Sequence, residues 1–212
     1  MKGTYFISGI DTNIGKTIAT GIIARNLMKQ GIQVITQKMI QTGNVCESED
    51  ILKHREIMQV PLFQEDLDFL TAPCIFSYPC SPHLAARLDK KEIDLKRIHA
   101  ATLELEKKFD VVLLEGAGGM MVPITEEYLT IDYICEHRLP LIFVTCGKLG
   151  SLNHTLLNLD VIKQRGIRLE KVIFNLYPDS DSIITKDSIE FIRRRLEKEF
   201  PETDFELMEM IP

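Results

Sequence analysis

Apolar runs and amphipathic segments alternate along most of the chain. Short runs rich in apolar and β-branched residues predict buried strands at 4–9, 32–37, 110–114, 141–144 and 172–174. Segments with apolar residues every three or four positions predict helices at 16–30, 48–59, 95–109, 131–137, 151–165 and 187–199. This alternation indicates a doubly wound α/β fold, with a mostly parallel sheet and helices on both faces. We expect one domain over residues 1–212, with the proline-rich stretch 61–82 mostly loop.

Composition and charge narrow the possible partners. The chain has 212 residues, 45% of them apolar, and its 25 Lys and Arg against 31 Asp and Glu give a net charge of −6. That balance argues against a general nucleic-acid or anionic-membrane binder, since phosphate neutralisation requires a basic face. No segment approaches the roughly 20 apolar residues of a membrane-spanning helix. Five cysteines without a C-x-x-C pair predict reduced thiols and a cytoplasmic location.

The strongest chemical signal is the run Gly9–Thr17 (GIDTNIGKT), which lies between the first predicted strand and the first predicted helix. This context is typical of a P-loop and predicts a P-loop NTPase-like fold, although five residues rather than four separate the two glycines. Main-chain amides at a helix start bind phosphate, Lys16 supplies a cation, and the Thr17 hydroxyl is suited to Mg²⁺. The pattern therefore predicts binding of Mg-ATP or Mg-GTP. The residues expected to contact the nucleotide here are Asn13, Ile14, Gly15, Lys16, Thr17 and Ile18.

Three charged residues are candidates for the same site. Glu115 ends a buried strand and precedes a glycine-rich turn, at the edge where open α/β sheets bind ligands. Asp50 lies in an acidic run at a helix start, where it is either a second metal carboxylate or a residue that complements the helix dipole. Lys38 ends the second strand, where it is either a stabiliser of transferring phosphate or a solvated lysine that contributes little to stability.

Taken together, these motifs resemble those of the dethiobiotin synthetase family. The resemblance runs in order from the first strand to about Asn175, and the longer phosphate loop is itself the family's form. The segments that carry it are Gly9–Thr17, Lys38–Gly43, Ser81–His83, Glu115–Gly119 and Lys148–His154.

The resemblance implies an ATP-dependent ligase of biotin biosynthesis. Its substrates are 7,8-diaminononanoate, CO₂ (supplied as bicarbonate) and ATP. The diamine and CO₂ form a carbamate, which attacks the γ-phosphorus of ATP to give a carbamic–phosphoric mixed anhydride. The second amine then displaces phosphate and closes a cyclic urea. Phosphoryl transfer of this kind depends on positioning and charge neutralisation rather than on a protein nucleophile.

The resemblance also implies residue roles and a homodimer with its active site at the interface. Lys16 and Lys38 flank the transferring phosphoryl group, while Thr17, Asp50 and Glu115 hold Mg²⁺. Further nucleotide contacts are implied for Gly116, Ala117, Gly118 and Asn175, the last of which reads the base. Substrate contacts are implied for Thr12, Lys38, Thr42, Ser81, Leu149, Gly150, Ser151 and Asn153, with the segment 149–153 supplied by the partner chain.

Two positions depart from the family pattern. Asn13 stands where many members have Glu, and we expect this change to be tolerated because the position mainly presents its backbone. The sequence ends at Ile211-Pro212, whereas related chains continue with a segment that covers the base. We therefore expect weaker ATP binding and looser discrimination against GTP or CTP.

Three other protein classes are alternatives to the synthetase. A dimeric ATPase switch of the partition or nitrogenase-iron-protein type also has a deviant phosphate loop, but it usually carries an additional lysine that residues 10–14 lack. Carboxylate-amidating enzymes of cofactor synthesis normally carry a glutaminase domain, and a nucleotide or sugar kinase is a further alternative. ATP consumption that requires both diamine and bicarbonate distinguishes the synthetase from all three.

Overall fold

The computed structural model describes residues 1–177 and 181–209. Its main sheet has six parallel strands in the order β2-β5-β1-β6-β7-β8, and β3 pairs with β4 in a separate two-stranded parallel sheet. The strands are β1 Gly3–Gly9, β2 Val34–Lys38, β3 Gln41–Thr42, β4 Ile75–Phe76, β5 Val111–Glu115, β6 Leu141–Cys146, β7 Leu169–Asn175 and β8 Asp204–Met208.

Eight helices are described between these strands. They are α1 Lys16–Lys29, α2 Glu49–Met58, α3 Gln64–Leu67, α4 Pro82–Asp89, α5 Leu95–Glu106, α6 Thr130–Glu136, α7 Ser151–Gln164 and α8 Ser182–Glu199. Ser48 caps α2 by accepting a hydrogen bond from the Ile51 amide, and Asp94 caps α5 by accepting one from the Arg97 amide. Both helix starts agree with the predicted ones.

Helices cover both faces of the main sheet, as the sequence predicts. The alternation within β1 shows this: Phe6 packs in a core with residues of α5, α6, α7 and α8, whereas Tyr5 and Ile7 pack with residues of α1. Because all six strands run in one direction, the carboxyl ends of β1, β2, β5 and β7 lie along one edge. The loops at this edge form the candidate site.

The sequence predictions missed several elements. The stretch 61–82 is not simply loop, because it contains α3 and β4, and α4 begins at Pro82. The edge strand β8 was also missed, since most of its residues are partly or fully exposed and show no apolar run. All five cysteines are free thiols. Within the described ranges, no helix is long and apolar enough to cross a bilayer. The terminal Ile211 and Pro212 lie outside these ranges.

Candidate nucleotide-binding and catalytic site

A cleft of about 930 Å³ opens at the carboxyl edge of the main sheet. It brings together the phosphate loop, the ends of β2 and β5, the β3 strand and the start of α4. Most of the predicted site residues line it: Thr12, Asn13, Gly15, Lys16, Thr17, Ile18, Lys38, Thr42, Asp50, Ser81, Glu115, Ala117, Gly118 and Asn175. The sequence did not single out Ile40, Gln41, Pro79, Cys80, Val122, Tyr177, Met208 and Glu209, which also line it.

The phosphate loop depends on two left-handed backbone positions. Gly15, immediately before α1, has φ +97°, and a Cβ there would lie 2.5 Å from Asn175 Nδ2. Any side chain at Gly15 is therefore excluded by both conformation and space. Asn13 has φ +59°, a conformation that asparagine adopts more readily than most residues. This gives a physical reason for asparagine at a position where many family members have Glu.

An oxygen-rich cluster lies beneath the loop. The Thr17 hydroxyl is 2.9 Å from Asp50 Oδ1 and 3.0 Å from Glu115 Oε1, so two carboxylates and one hydroxyl converge. Such a hard-oxygen donor set suits Mg²⁺. Among the described residues, no group of three or more His, Cys, Asp or Glu side chains forms a metal cluster. Thr17 supplies the third donor here.

Lys38 is buried, which excludes the alternative of a solvated lysine at the strand end. Only 6% of the residue is exposed, and its ammonium group lies 2.6 Å from Asp50 Oδ2 and 2.8 Å from Glu115 Oε1. It also donates to the Gly116 carbonyl oxygen at 3.2 Å. Replacing Lys38 would leave two acidic groups without their cation, so its removal must cost stability as well as activity.

The two lysines of the cleft have opposite electrostatic environments. Burial, together with the nearby charge of Lys38, lowers the pKa of Lys16 to about 8. Burial acts in the same direction on Lys38, but Glu115 and Asp50 outweigh it and raise the pKa of Lys38. Burial alone would raise the pKa of Glu115, yet the charge of Lys38 and a hydrogen bond from His54 hold it well below its ordinary value. Lys16, Lys38 and Glu115 are therefore predominantly ionised at neutral pH.

Lys16 is held by its own loop. Its ammonium group donates to the Asp11 carbonyl oxygen at 2.6 Å. The neighbouring Thr12 is exposed, and its amide donates to the Asp11 carboxylate at 2.7 Å. The Ile14 side chain is buried behind the loop rather than in the cleft. Of the residues that the loop presents, Lys16 is the cation available for an incoming phosphate.

Asn175 holds the phosphate loop from behind. Its Nδ2 donates to the Ile14 carbonyl oxygen at 2.9 Å, and its Oδ1 accepts from the Tyr177 amide at 2.9 Å. One amide hydrogen and one acceptor lone pair remain. Asn175 therefore has a loop-packing role that the sequence did not predict, and it keeps the capacity to contact a base.

The predicted partner-chain segment does not line the cleft of its own chain. Leu149 is 81% exposed, and Gly150 and Asn153 are exposed beside it at the start of α7. Ser151 is buried; its hydroxyl lies 3.3 Å from Cys146 Sγ and its amide donates to the Lys148 carbonyl oxygen. The side chain of Ser151 is thus engaged within its own chain, unlike those of its exposed neighbours.

Sequence reasoning missed two residues that contact Glu115. The Thr20 hydroxyl lies 2.9 Å from Glu115 Oε2, and His54 Nε2 lies at the same distance from that oxygen. The signal for His54 was its spacing of four residues from Asp50, which places both on one face of α2. Thr20 stands three residues after Thr17 and shares a face of α1 with it.

The fold and this cleft define the chain as a P-loop nucleotide-binding α/β protein. A family model described as an AAA domain matches residues 3–201. A relative from Pasteurella multocida, ATP-dependent dethiobiotin synthetase BioD 2, is 53% identical over 211 residues, covering 100% of this chain and 99% of the relative. The BioD protein of Chlorobaculum tepidum is 45% identical over 199 residues, covering 93% of this chain and 83% of the relative. The chain therefore belongs to the ATP-dependent dethiobiotin synthetase family, in agreement with the sequence motifs.

Solved structures of another group share the fold. A ParA family ATPase from Chlorobium tepidum superimposes with a TM-score of 0.56 at 19% identity, covering 100% of this chain and 86% of the other. The pNOB8 ParA structure gives 0.57 at 14% identity, covering 96% and 79%. At these identities the likeness concerns architecture only. It gives no support to the ATPase-switch alternative.

Proposed function

We propose that this chain catalyses the ATP-dependent ring closure of 7,8-diaminononanoate with CO₂ to form dethiobiotin, ADP and phosphate. The observation that carries the proposal is the convergence of Lys16, Lys38, Asp50 and Glu115 in one cleft, in a chain 53% identical to a dethiobiotin synthetase. The site offers two ammonium groups and the phosphate-loop amides to a polyphosphate. No nucleophilic side chain is needed for the chemistry.

The residues divide into a phosphate side and a substrate side. Loop amides and Lys16 bind the β- and γ-phosphates, and Lys16 exchanges the Asp11 carbonyl oxygen for a phosphate oxygen. Lys38 lies between the carboxylates and the cleft, where it orients the carbamate oxygen and stabilises charge on the transferring phosphoryl group. Thr12, Thr42 and Ser81 line the same cleft and contact the carbamate or diamine.

Mg²⁺ fits the donor set of Thr17, Asp50 and Glu115. When bound it neutralises phosphate charge and helps to align the γ-phosphate. With Mg²⁺ held by these residues, Lys38 would share the Asp50 and Glu115 carboxylates with the metal and would present its ammonium group to the substrate.

A homodimer completes this proposal. We infer that the exposed start of α7 binds the substrate carboxylate in the partner's site. Helix N-termini bind anions, which supports this role. Analytical ultracentrifugation tests the dimer. Mixing Lys38→Met chains with Asn153→Ala chains tests the shared site, since one intact site per mixed dimer should restore part of the activity.

The decisive experiment uses purified protein, Mg-ATP, the diamine and ¹³C-bicarbonate. We expect dethiobiotin carrying one ¹³C atom in its ureido carbonyl, and ADP release that requires both diamine and bicarbonate. A Lys53→Met variant, which changes an exposed lysine of α2, should retain the wild-type rate. ATP hydrolysis at the same rate with and without the diamine would instead identify an ATPase switch and refute the proposal.

Recognition of the nucleotide base is assigned to Asn175 in this proposal. Asn175 is proposed to use its remaining amide hydrogen and lone pair on the nucleotide base. Comparing KM for ATP and GTP in the wild type and in Asn175→Ala tests this role. If Asn175 contacts the base, Asn175→Ala should change the ratio of the KM values for ATP and GTP. If Asn175 only packs the loop, the KM values for both nucleotides should rise by the same factor.

A further inference from the structure

A line of buried hydrogen bonds runs behind Glu115, on the side away from the cleft. Thr20 and His54 both contact Oε2 of Glu115, whereas Thr17 and Lys38 contact Oε1. Thr17 and Lys38 line the cleft, so Oε1 is the oxygen presented to a ligand. His54 and Glu115 are both fully buried. The orientation of this carboxylate is therefore set partly from behind.

The direction of each hydrogen bond in the line follows from elementary chemistry. Arg55 has only donors, and its Nη1 donates to the Thr36 hydroxyl oxygen at 2.8 Å. His54 Nδ1 lies 3.0 Å from the same hydroxyl and, in a neutral ring with its hydrogen on Nε2, accepts the Thr36 hydroxyl hydrogen. Since ionised Glu115 only accepts, Nε2–H donates to its Oε2 at 2.9 Å. Every donor in the line meets an acceptor.

Arg55 is itself fixed at the far end of the line. Its Nε and Nη2 donate to the two oxygens of Asp66 at 2.8 and 2.7 Å, in a bidentate pair. Its guanidinium group also lies 4.9 Å from the centre of the Phe63 ring. Asp66 accepts a further hydrogen bond from Thr71. The line thus begins at a rigid anchor and ends at the carboxylate of the cleft.

We propose that His54 is a positioning residue of the synthetase site: through Nε2 it fixes the Glu115 carboxylate, and Thr36, held by Arg55, orients the His54 ring at Nδ1. The inference rests on the proposed function because it assigns Glu115 to Mg²⁺. Groups that orient a metal-binding side chain typically change metal affinity or activity by about 10–100-fold when they are replaced. His54 does not contact the cleft itself, since it is absent from its lining residues.

The test measures binding of ATP by calorimetry over a series of Mg²⁺ concentrations, without diamine. His54→Leu removes the donor, and we expect it to raise the Mg²⁺ concentration for half-maximal ATP binding by about 10–100-fold. His54→Gln places an amide donor near the position of Nε2 and should restore most of that loss. Thr102→Val removes another buried hydroxyl, which bonds to Gln37, and serves as the matched control with unchanged Mg²⁺ dependence.

Thr36→Val keeps the inference testable even where His54→Leu fails to fold. Thr36→Val preserves His54 but removes the hydroxyl that holds its Nδ1, so the Mg²⁺ requirement should again rise. Where all variants fold, the double variant Thr36→Val/His54→Leu should lose no more Mg²⁺ affinity than His54→Leu alone. Both substitutions would break the same line of hydrogen bonds to Glu115. A lowered melting temperature with unchanged Mg²⁺ dependence would overturn the inference. Absence of Mg²⁺-dependent ATP binding in the wild type would instead refute the proposed function.

Discussion

Two buried charge networks adjoin helix α2, and they differ in how fully their groups are paired. The inner network (Thr36, Arg55, Asp66 and Thr71) is closed, because both Asp66 oxygens accept hydrogen bonds and Arg55 is bidentate. The cleft network (Lys16, Lys38, Asp50 and Glu115) is open. Its Lys16 has a pKa lowered by burial and by Lys38, and Asp50 is 24% exposed on its side chain.

The contrast shows which buried charges the fold leaves without a full set of partners. A closed ion pair is satisfied by protein groups and contributes to the rigidity of its surroundings. An open network keeps two cations close together, which is unfavourable until an anion arrives. The cleft network can therefore accept a polyphosphate, as proposed above, whereas the groups of the inner network satisfy one another and reach the cleft only through the hydrogen bonds of Thr36 and His54. Breaking each network should accordingly give a different signature.

Breaking the inner network should cause the largest loss of stability. Asp66→Ala leaves the buried Arg55 guanidinium without a carboxylate, and the free energy of unfolding should fall by about 3–5 kcal/mol. Urea denaturation of the ligand-free protein measures this. Asp68→Ala, which changes an exposed aspartate two residues away, should change stability by less than about 0.5 kcal/mol. A loss below about 1 kcal/mol for Asp66→Ala would contradict the closed network.

Breaking the cleft network should affect turnover most. Lys38→Met removes the ammonium group proposed to stabilise charge on the transferring phosphoryl group, and kcat should fall by about 10²–10³-fold. The ligand-free variant should also melt at a lower temperature, because Asp50 and Glu115 lose their shared cation. Mg²⁺ should raise its melting temperature more than that of the wild type, since a metal cation replaces the missing ammonium group. Equal Mg²⁺ effects on both proteins would show that these carboxylates do not bind the metal.

The two networks also differ in what sequence reveals. The phosphate loop was predictable because its glycines, lysine and threonine lie within the nine consecutive residues 9–17. Glu115 and Lys38 were predictable as strand ends, since parallel strands bring their carboxyl ends to one edge. The pairing of His54 with Glu115 spans 61 residues and has no local pattern. The sequence left open whether Lys38 is buried, because its burial depends on neutralisation by two residues distant in sequence, Asp50 and Glu115.

Elements without a local sequence pattern were missed for the same reason. Long buried strands such as β5 and β6 are predictable because they are continuous apolar runs. The strands β3 and β4 have two residues each and are too short to show a period. The edge strand β8 is largely exposed, so its pattern is weak. Thr42 lines the cleft, and its substrate contact stays a prediction; its position on a second sheet was not predicted.

A pH titration of stability should sharpen the contrast. Burial opposes ionisation of Asp66, but hydrogen bonding and the charge of Arg55 outweigh it and lower the pKa of Asp66. The folded state then binds that proton more weakly than the unfolded state, whose aspartates titrate near about 3.9. The stability that ionised Asp66 contributes is complete above the pKa of an unfolded aspartate. It is lost as the pH falls through the lowered pKa of Asp66 in the folded state. Chemical denaturation should show Asp66→Asn losing more stability at pH 7 than at pH 3; equal losses would contradict this assignment.

The smallest expected effect tests whether α2 couples the two networks. Ser48 caps this helix, which carries Asp50, His54 and Arg55, and its hydroxyl also donates to Gln41 Oε1 at 2.6 Å. Ser48→Ala and the matched cap variant Asp94→Ala on α5 should each cost about 1 kcal/mol of stability. Only Ser48→Ala should also raise the Mg²⁺ concentration needed for ATP binding, because fraying α2 displaces Asp50 in the cleft. Calorimetry checks the difference, and equal Mg²⁺ dependence in the two variants would mean that the start of α2 is held by its packing rather than by its cap.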